Sequence, residues 1–196
     1  MSQTPGQQQK QHPEEQALAA KDRSIVLVGL MGAGKSTVGR RLAAALGLTF
    51  HDADSEIVEA AGGRTVEEIF SHYGEISFRD VERRVIARLL SGKRHVLATG
   101  GGAFMDAQTR ALIKERGLSV WLRVDIELLI KRVAKRATRP LLREGDPRQT
   151  LERLVAERYP TYAQADITID SVDGPHDAVV SQIKAAIEDY LRRNER

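Results

Sequence analysis

Cysteine is absent from all 196 residues. That excludes a disulfide framework, a thiolate metal site and a cysteine nucleophile, and it agrees with a cytoplasmic location, the expected one. No apolar run approaches the roughly 20 residues needed to cross a bilayer, and the first residues lack the apolar segment of a secretory signal. Aromatics are scarce, with one Trp, four Tyr and four Phe. So few, and so scattered, they make a poor platform for stacking bases. Charge of one sign is not dominant either. Thirty Lys and Arg face 27 Asp and Glu, for a formal net charge of +3. The acidic residues are interspersed with the basic ones, so an arginine-lined site for small anions is expected rather than a nucleic-acid surface. Neither nucleic acid nor membrane is expected as a partner.

What is present centres on Gly29-Leu30-Met31-Gly32-Ala33-Gly34-Lys35-Ser36. It fits G-x-x-x-x-G-K-[ST], a phosphate-binding loop. The apolar run Ser24–Val28 before it reads as a buried strand. Val38, Leu42 and Leu46 after it have helical spacing, and Gly47 offers a stop. Glycines let backbone N–H groups turn towards phosphate oxygens, and a helix N-terminus adds positive potential. In such a loop the backbone of Gly32, Ala33 and Gly34 cradles phosphate, with Thr37 beside it. Lys35 reaches the terminal phosphates and the Ser36 hydroxyl sits on Mg²⁺. A bound nucleoside triphosphate is expected.

The remainder alternates short strands and helices, the pattern of an α/β fold with a parallel sheet covered on both faces. Residues 1–22, rich in Gln with Pro5, Gly6 and Pro13, read as a disordered extension. A second strand spans Thr49–Asp52, with Asp54 as N-cap of a helix to Ala61. Thr65 to Glu68 opens a short helix to about His72, and a longer one runs from Glu75 to Leu90. Further strands are expected at His95–Thr99, Leu118–Val124 and Asp166–Asp170. Helices are expected at Asp106–Arg116, from Asp125 to about Arg136, from Pro147 to Glu157, and from Ala178 to Arg193. Residues 137–148 read as an exposed loop.

Candidates for chemistry fall at strand ends, where open α/β sheets bind ligands. Asp52 could hold a metal-bound water or accept a proton, and Asp54 could bind substrate hydroxyls. Equally, the pair could be a strand-end carboxylate and a helix cap. Gly100-Gly101-Gly102 permits close approach of a ligand to the backbone, or forms a plain tight turn. Arg79 and Glu82 are either an exposed i,i+3 pair of little worth or a guanidinium held for a carboxylate. Arg136, Arg139 and Arg143 suit a lid over transferring phosphate, or a solvated basic loop. Arg158 follows in Arg158-Tyr159-Pro160-Thr161-Tyr162. The histidines lack metal-ligand spacing, and Trp121 reads as core. No guanine-specificity motif of the Asn-Lys-x-Asp type is present, which argues against a GTPase switch.

Taken together these stretches resemble the shikimate kinase family. The residues that carry the resemblance are Gly29-x-x-Gly32-x-Gly34-Lys35-Ser36-Thr37-x-Gly39, Asp52-x-Asp54, Phe78-Arg79-x-x-Glu82, Gly100-Gly101-Gly102, Arg139-Pro140-Leu141-Leu142 and Arg158-x-Pro160-x-Tyr162. The resemblance implies a three-layer α/β/α P-loop kinase fold over residues 23–196, with a five-stranded parallel sheet. It also implies a helical substrate-binding segment near residues 53–91 and a lid near 137–148. The implied reaction is ATP-dependent phosphorylation of the shikimate 3-hydroxyl with one Mg²⁺. On that pattern Asp54 holds substrate hydroxyls, while Asp52 acts near the reacting hydroxyl and the metal. Arg79 and Arg158 clamp the carboxylate, Glu82 orients Arg79, and Gly101 and Gly102 seat the ring. Arg139 joins Lys35 at the phosphates, and Arg132 lies against adenine. A monomer is expected. The nearest rival is a kinase of the same fold acting on another small hydroxylated acid, gluconate-like, or on a nucleotide.

Overall fold

The structure, a computed structural model, describes residues 22–134 and 146–194. The expected N-terminal extension and most of the expected lid, with Arg136, Arg139 and Arg143, lie outside the described residues.

Five parallel strands form one sheet in the order β2-β3-β1-β4-β5: β1 Ser24–Val28, β2 Thr49–Asp52, β3 His95–Ala98, β4 Gly117–Arg123 and β5 Ile167–Asp170. β1 lies between β3 and β4, with Leu27 opposite both Ala98 and Val120. All five residues of β1 are buried, which is why it reads as an uninterrupted apolar run and shows no alternation. The chain leaves β1 for β2 on one side and later crosses to β4 on the other. The carboxyl end of β1 is therefore a switch point, where such sheets hold ligands.

Seven helices are described: α1 Lys35–Leu46, α2 Ala53–Ala60, α3 Val66–Leu90, α4 Ala107–Arg116, α5 Ile126–Ala134, α6 Pro147–Tyr162 and α7 His176–Asn194. A short 3-10 turn occupies Ala103–Met105. One continuous core joins the sheet to helices through Ile25, Leu42, Ile86, Leu118, Leu129 and Ile183, each 2% exposed or less. Trp121 is in that core, as its apolar strand predicts.

Most elements match the sequence reading, and four differences have physical causes. α1 starts at Lys35, three residues before the Val38, Leu42 and Leu46 pattern opens, so the loop's lysine and serine occupy the first helical turn. β2 runs into α2 with no linker. Asp52, not Asp54, is the N-cap, its Oδ1 accepting the Asp54 N–H at 3.1 Å. Asp54 falls within the first turn, where the helix dipole favours a carboxylate. The two expected helices around Gly74 form one element with a break: Gly74 has φ 75° and ψ 170°, leaving the Thr65/Glu68 capping box to start the first half. Finally, α6 passes Glu157 and Pro160 and ends at Tyr162. A proline this close to a C-terminus removes only one ladder bond, and the chain tolerates it.

Candidate active site

The loop between β1 and α1 needs glycine where the chain turns. Gly34, the residue before α1, sits at φ 92°, and Gly29 sits at φ 137°, where a Cβ would lie 2.8 Å from the Leu122 carbonyl oxygen. The Lys35 side chain folds back over this loop. Its Nζ donates to the carbonyls of Gly29 at 2.7 Å and Leu30 at 2.9 Å, which holds a buried ammonium on the concave side of the turn. The Ser36 hydroxyl donates to Asp52 Oδ2 at 2.6 Å. Two sequence-distant candidates are thus joined, because β2 ends beside the start of α1.

These residues share one cleft of about 250 Å³ with the acceptor-side candidates Asp54, Arg79, Gly100 to Gly102 and Arg158. Gly32, Gly34 and Thr37 line it too. Ala33 belongs to the same loop, with its own side chain buried in the core. The Arg79–Glu82 pair is no surface pair. Glu82 is 2% exposed and accepts from Arg79 Nη1 at 2.5 Å, while Arg79 also lies over the rings of Phe78 (5.3 Å) and Phe70 (5.9 Å). Burial pushes the Glu82 carboxyl up, and the Arg79 charge and hydrogen bond pull it back. Of its two oxygens, Oε1 has no hydrogen-bond partner among the described residues. Such a buried carboxylate holds its guanidinium firmly, since losing the partner would leave a charge without compensation.

The triple glycine has a meaning that sequence alone did not separate. None of Gly100, Gly101 and Gly102 has a positive φ. What matters is space. A Cβ on Gly100 would lie 2.7 Å from Glu82 Oε1 and 2.9 Å from Asp54 Oδ1, and one on Gly102 would lie 2.6 Å from Arg79 Cζ. Between them, the Gly101 carbonyl accepts Arg158 Nη1 at 3.0 Å and the Tyr162 hydroxyl. The strand end therefore lets carboxylates and guanidinium close around the backbone.

Arg132 stands apart from this cleft. It reaches Ser171 Oγ at 3.3 Å and the Val172 carbonyl at 3.0 Å, in the turn after β5, while its neighbours Leu129 and Val133 pack against Gly32. It sits on the outer flank of the phosphate loop. Arg139 lies outside the described residues. Of the histidines, His51 pairs with Glu56 at 2.7 Å and His95 is buried; neither lines the cleft. Among the described residues no group of three or more His, Cys, Asp and Glu could hold a metal ion.

Sequence reasoning missed Met31, Val66, Phe70 and Thr99 as cleft residues. Val66 and Phe70 are one turn apart in the first half of α3, a spacing that signals an apolar face but not what the face meets. Tyr162 was visible in the sequence only as part of a pattern, with no part to play.

A phosphate loop on a five-stranded parallel sheet, opening into a cleft with two arginines and an acidic pair, defines a small-molecule phosphotransferase of the P-loop class. Comparison with known proteins narrows this. The family model described as shikimate kinase matches residues 31–188. A shikimate kinase of Rhodopseudomonas palustris is 55% identical over 181 residues, covering 91% of this chain and 89% of the relative. One from Caulobacter vibrioides is 58% identical over 165 residues, covering 84% and 82%. The solved structure of shikimate kinase from Acinetobacter baumannii in complex with shikimate superposes with a TM-score of 0.82 at 40% identity, covering 88% of this chain and 96% of that one. The chain belongs to the shikimate kinase family.

Proposed function

We infer that the protein transfers the γ-phosphoryl group of ATP to the 3-hydroxyl of shikimate, giving shikimate 3-phosphate and ADP. The observation that carries this is the single cleft shared by the phosphate loop and the Arg79/Arg158 pair. A donor-binding lysine and two candidate carboxylate-binding arginines on one wall-to-wall surface suit a small anionic acceptor whose hydroxyl must face a phosphate.

On this reading the phosphates of ATP lie on the backbone from Gly32 to Ser36, with Thr37 alongside and Lys35 exchanging a loop carbonyl for phosphate oxygens. Arg79 and Arg158 bind the acceptor carboxylate, and Gly101 and Gly102 give the ring a floor. Asp54 holds the acceptor hydroxyls, and Asp52 stands near the one that reacts. The hydroxyl oxygen forms its bond to the γ-phosphorus as the bond to the β,γ-bridging oxygen breaks, and the electron pair leaves with ADP. A loose transition state asks little of a base, so alignment and charge do most of the work. Arg139 comes from the lid to the phosphates, and Arg132 flanks adenine.

Ser36 and Asp52 fit Mg²⁺. Both offer hard oxygens, 2.6 Å apart, and Mg²⁺ takes one or two protein oxygens with phosphate and water for the rest. When bound, one such ion neutralises charge on the transferring phosphate. The family resemblance also carries a monomer in the cytoplasm. ADP release measured across shikimate, gluconate and nucleoside monophosphates tests the substrate. Turnover is expected with shikimate alone; turnover of another acceptor with shikimate inert would overturn the reading.

A further inference from the structure

Tyr162 has been given no part in binding or catalysis, yet it is built into the site. It is 1% exposed, with its ring against those of Trp121, Phe104 and Tyr159. Because α6 runs on through Pro160, Tyr162 falls one turn after Arg158 and on the same face. Its hydroxyl donates to the Gly101 carbonyl and lies beside the Arg158 side chain, whose Nη1 donates to the same carbonyl at 3.0 Å. Three groups close a triangle: phenol, guanidinium and backbone oxygen. Both lone pairs of that oxygen are used. Burial pushes the Tyr162 phenol up to about 12, so it keeps its proton and remains a donor at any physiological pH.

A guanidinium carries five N–H donors in a planar fork, and fixing one part of the fork orients the rest. Arg158 is half-buried and lines the cleft, so the donors that the triangle leaves over are those that can meet an acceptor. An untethered arginine would lose its rotamer freedom each time a carboxylate bound; a tethered one has lost it already on folding.

We propose that Tyr162 is a positioning residue for the acceptor carboxylate, holding Arg158 against the Gly101 carbonyl in the orientation that binds it. This rests on the shikimate phosphotransferase reading and adds a residue outside the set that touches substrate. The rival account is that Tyr162 only fills the aromatic core, in which case its hydroxyl is dispensable for substrate.

The test is Tyr162→Phe, which deletes one oxygen and keeps the ring. Loss of one tether is expected to raise the shikimate KM about tenfold while kcat stays within roughly twofold. The ATP KM should not move. The methyl ester of shikimate, which lacks the carboxylate charge, should bind wild type and Tyr162→Phe with the same affinity. Tyr159→Phe is the comparison, because that hydroxyl bonds the Val124 carbonyl in the same aromatic cluster and does not reach Arg158. It should leave both KM values in place. Tyr162→Met serves in the same assays if the phenylalanine variant does not fold. An unchanged shikimate KM in Tyr162→Phe, or an equal loss for acid and ester, overturns the proposal. Arg158→Lys separates the two levels. If it leaves shikimate affinity intact, the clamp itself is wrong; if it weakens binding while Tyr162→Phe is silent, only the part given to Tyr162 is wrong.

Discussion

Gly102→Ala is expected to damage acceptor binding and spare the nucleotide side. Gly102 has φ −102° and ψ −15°, a conformation open to alanine, so the effect must come from the added methyl. That methyl would lie 2.6 Å from Cζ and Nη1 of Arg79. The guanidinium is not a loose end that can swing away. It is held at 2.5 Å by Glu82 and flanked by Phe70 and Phe78. Either the backbone gives, at an overpacking cost of about 1–3 kcal/mol, or Arg79 moves and its bond to the acceptor carboxylate is lost. A hydrogen bond to a charged group is worth about 1.5–3 kcal/mol, roughly a 10- to 150-fold rise in shikimate KM. Coupled ADP-release kinetics with shikimate varied at saturating ATP would read it, with urea melts to report the stability cost. Because the three atoms nearest that methyl all belong to Arg79, ATP affinity should hold. An unchanged shikimate KM in a folded Gly102→Ala protein would refute the claim that the third glycine makes room for Arg79.

Three further outcomes are expected. Lys35→Ala should abolish turnover in the same assay while circular dichroism remains that of the wild type, since the phosphate loop loses its cation. Stability should rise with pH between about 5 and 7, in part through His95. Burial holds this imidazole below its ordinary value of 6.5, so the unfolded chain binds more protons and acid favours unfolding. The gain is complete above the unfolded value and fades as pH falls towards the folded one; His95→Gln should flatten the slope in urea titrations at pH 5, 6 and 7. Removing residues 1–21 should leave kcat within about twofold, because every candidate site residue lies at Gly32 or later in the sequence.

The phosphate loop could be read directly because its chemistry is local: strand, glycines, Lys35 and Ser36 are contiguous and carry their own geometry. β1 was legible for the same reason, as was the break at Gly74. Glu82 was not. Whether an i,i+3 pair is solvated or buried depends on what packs over α3, and no spacing reports that. The role of Gly100 and Gly102 was half legible. Three glycines announced close approach, but only the fold shows that the approaching groups are Asp54, Glu82 and Arg79. The end of α6 was not legible. Placed at Glu157, it hid the helical register that sets Arg158 and Tyr162 on one face. Asp54 was similarly displaced as cap by Asp52, two residues earlier.

The most direct test is the identity of the product. With ATP, Mg²⁺ and shikimate, phosphorus NMR should show a new phosphate monoester coupled to the proton on the carbon bearing the 3-hydroxyl, formed in step with ADP. Hydrolysis of ATP to inorganic phosphate without an ester, or an ester on any other hydroxyl, would contradict the account.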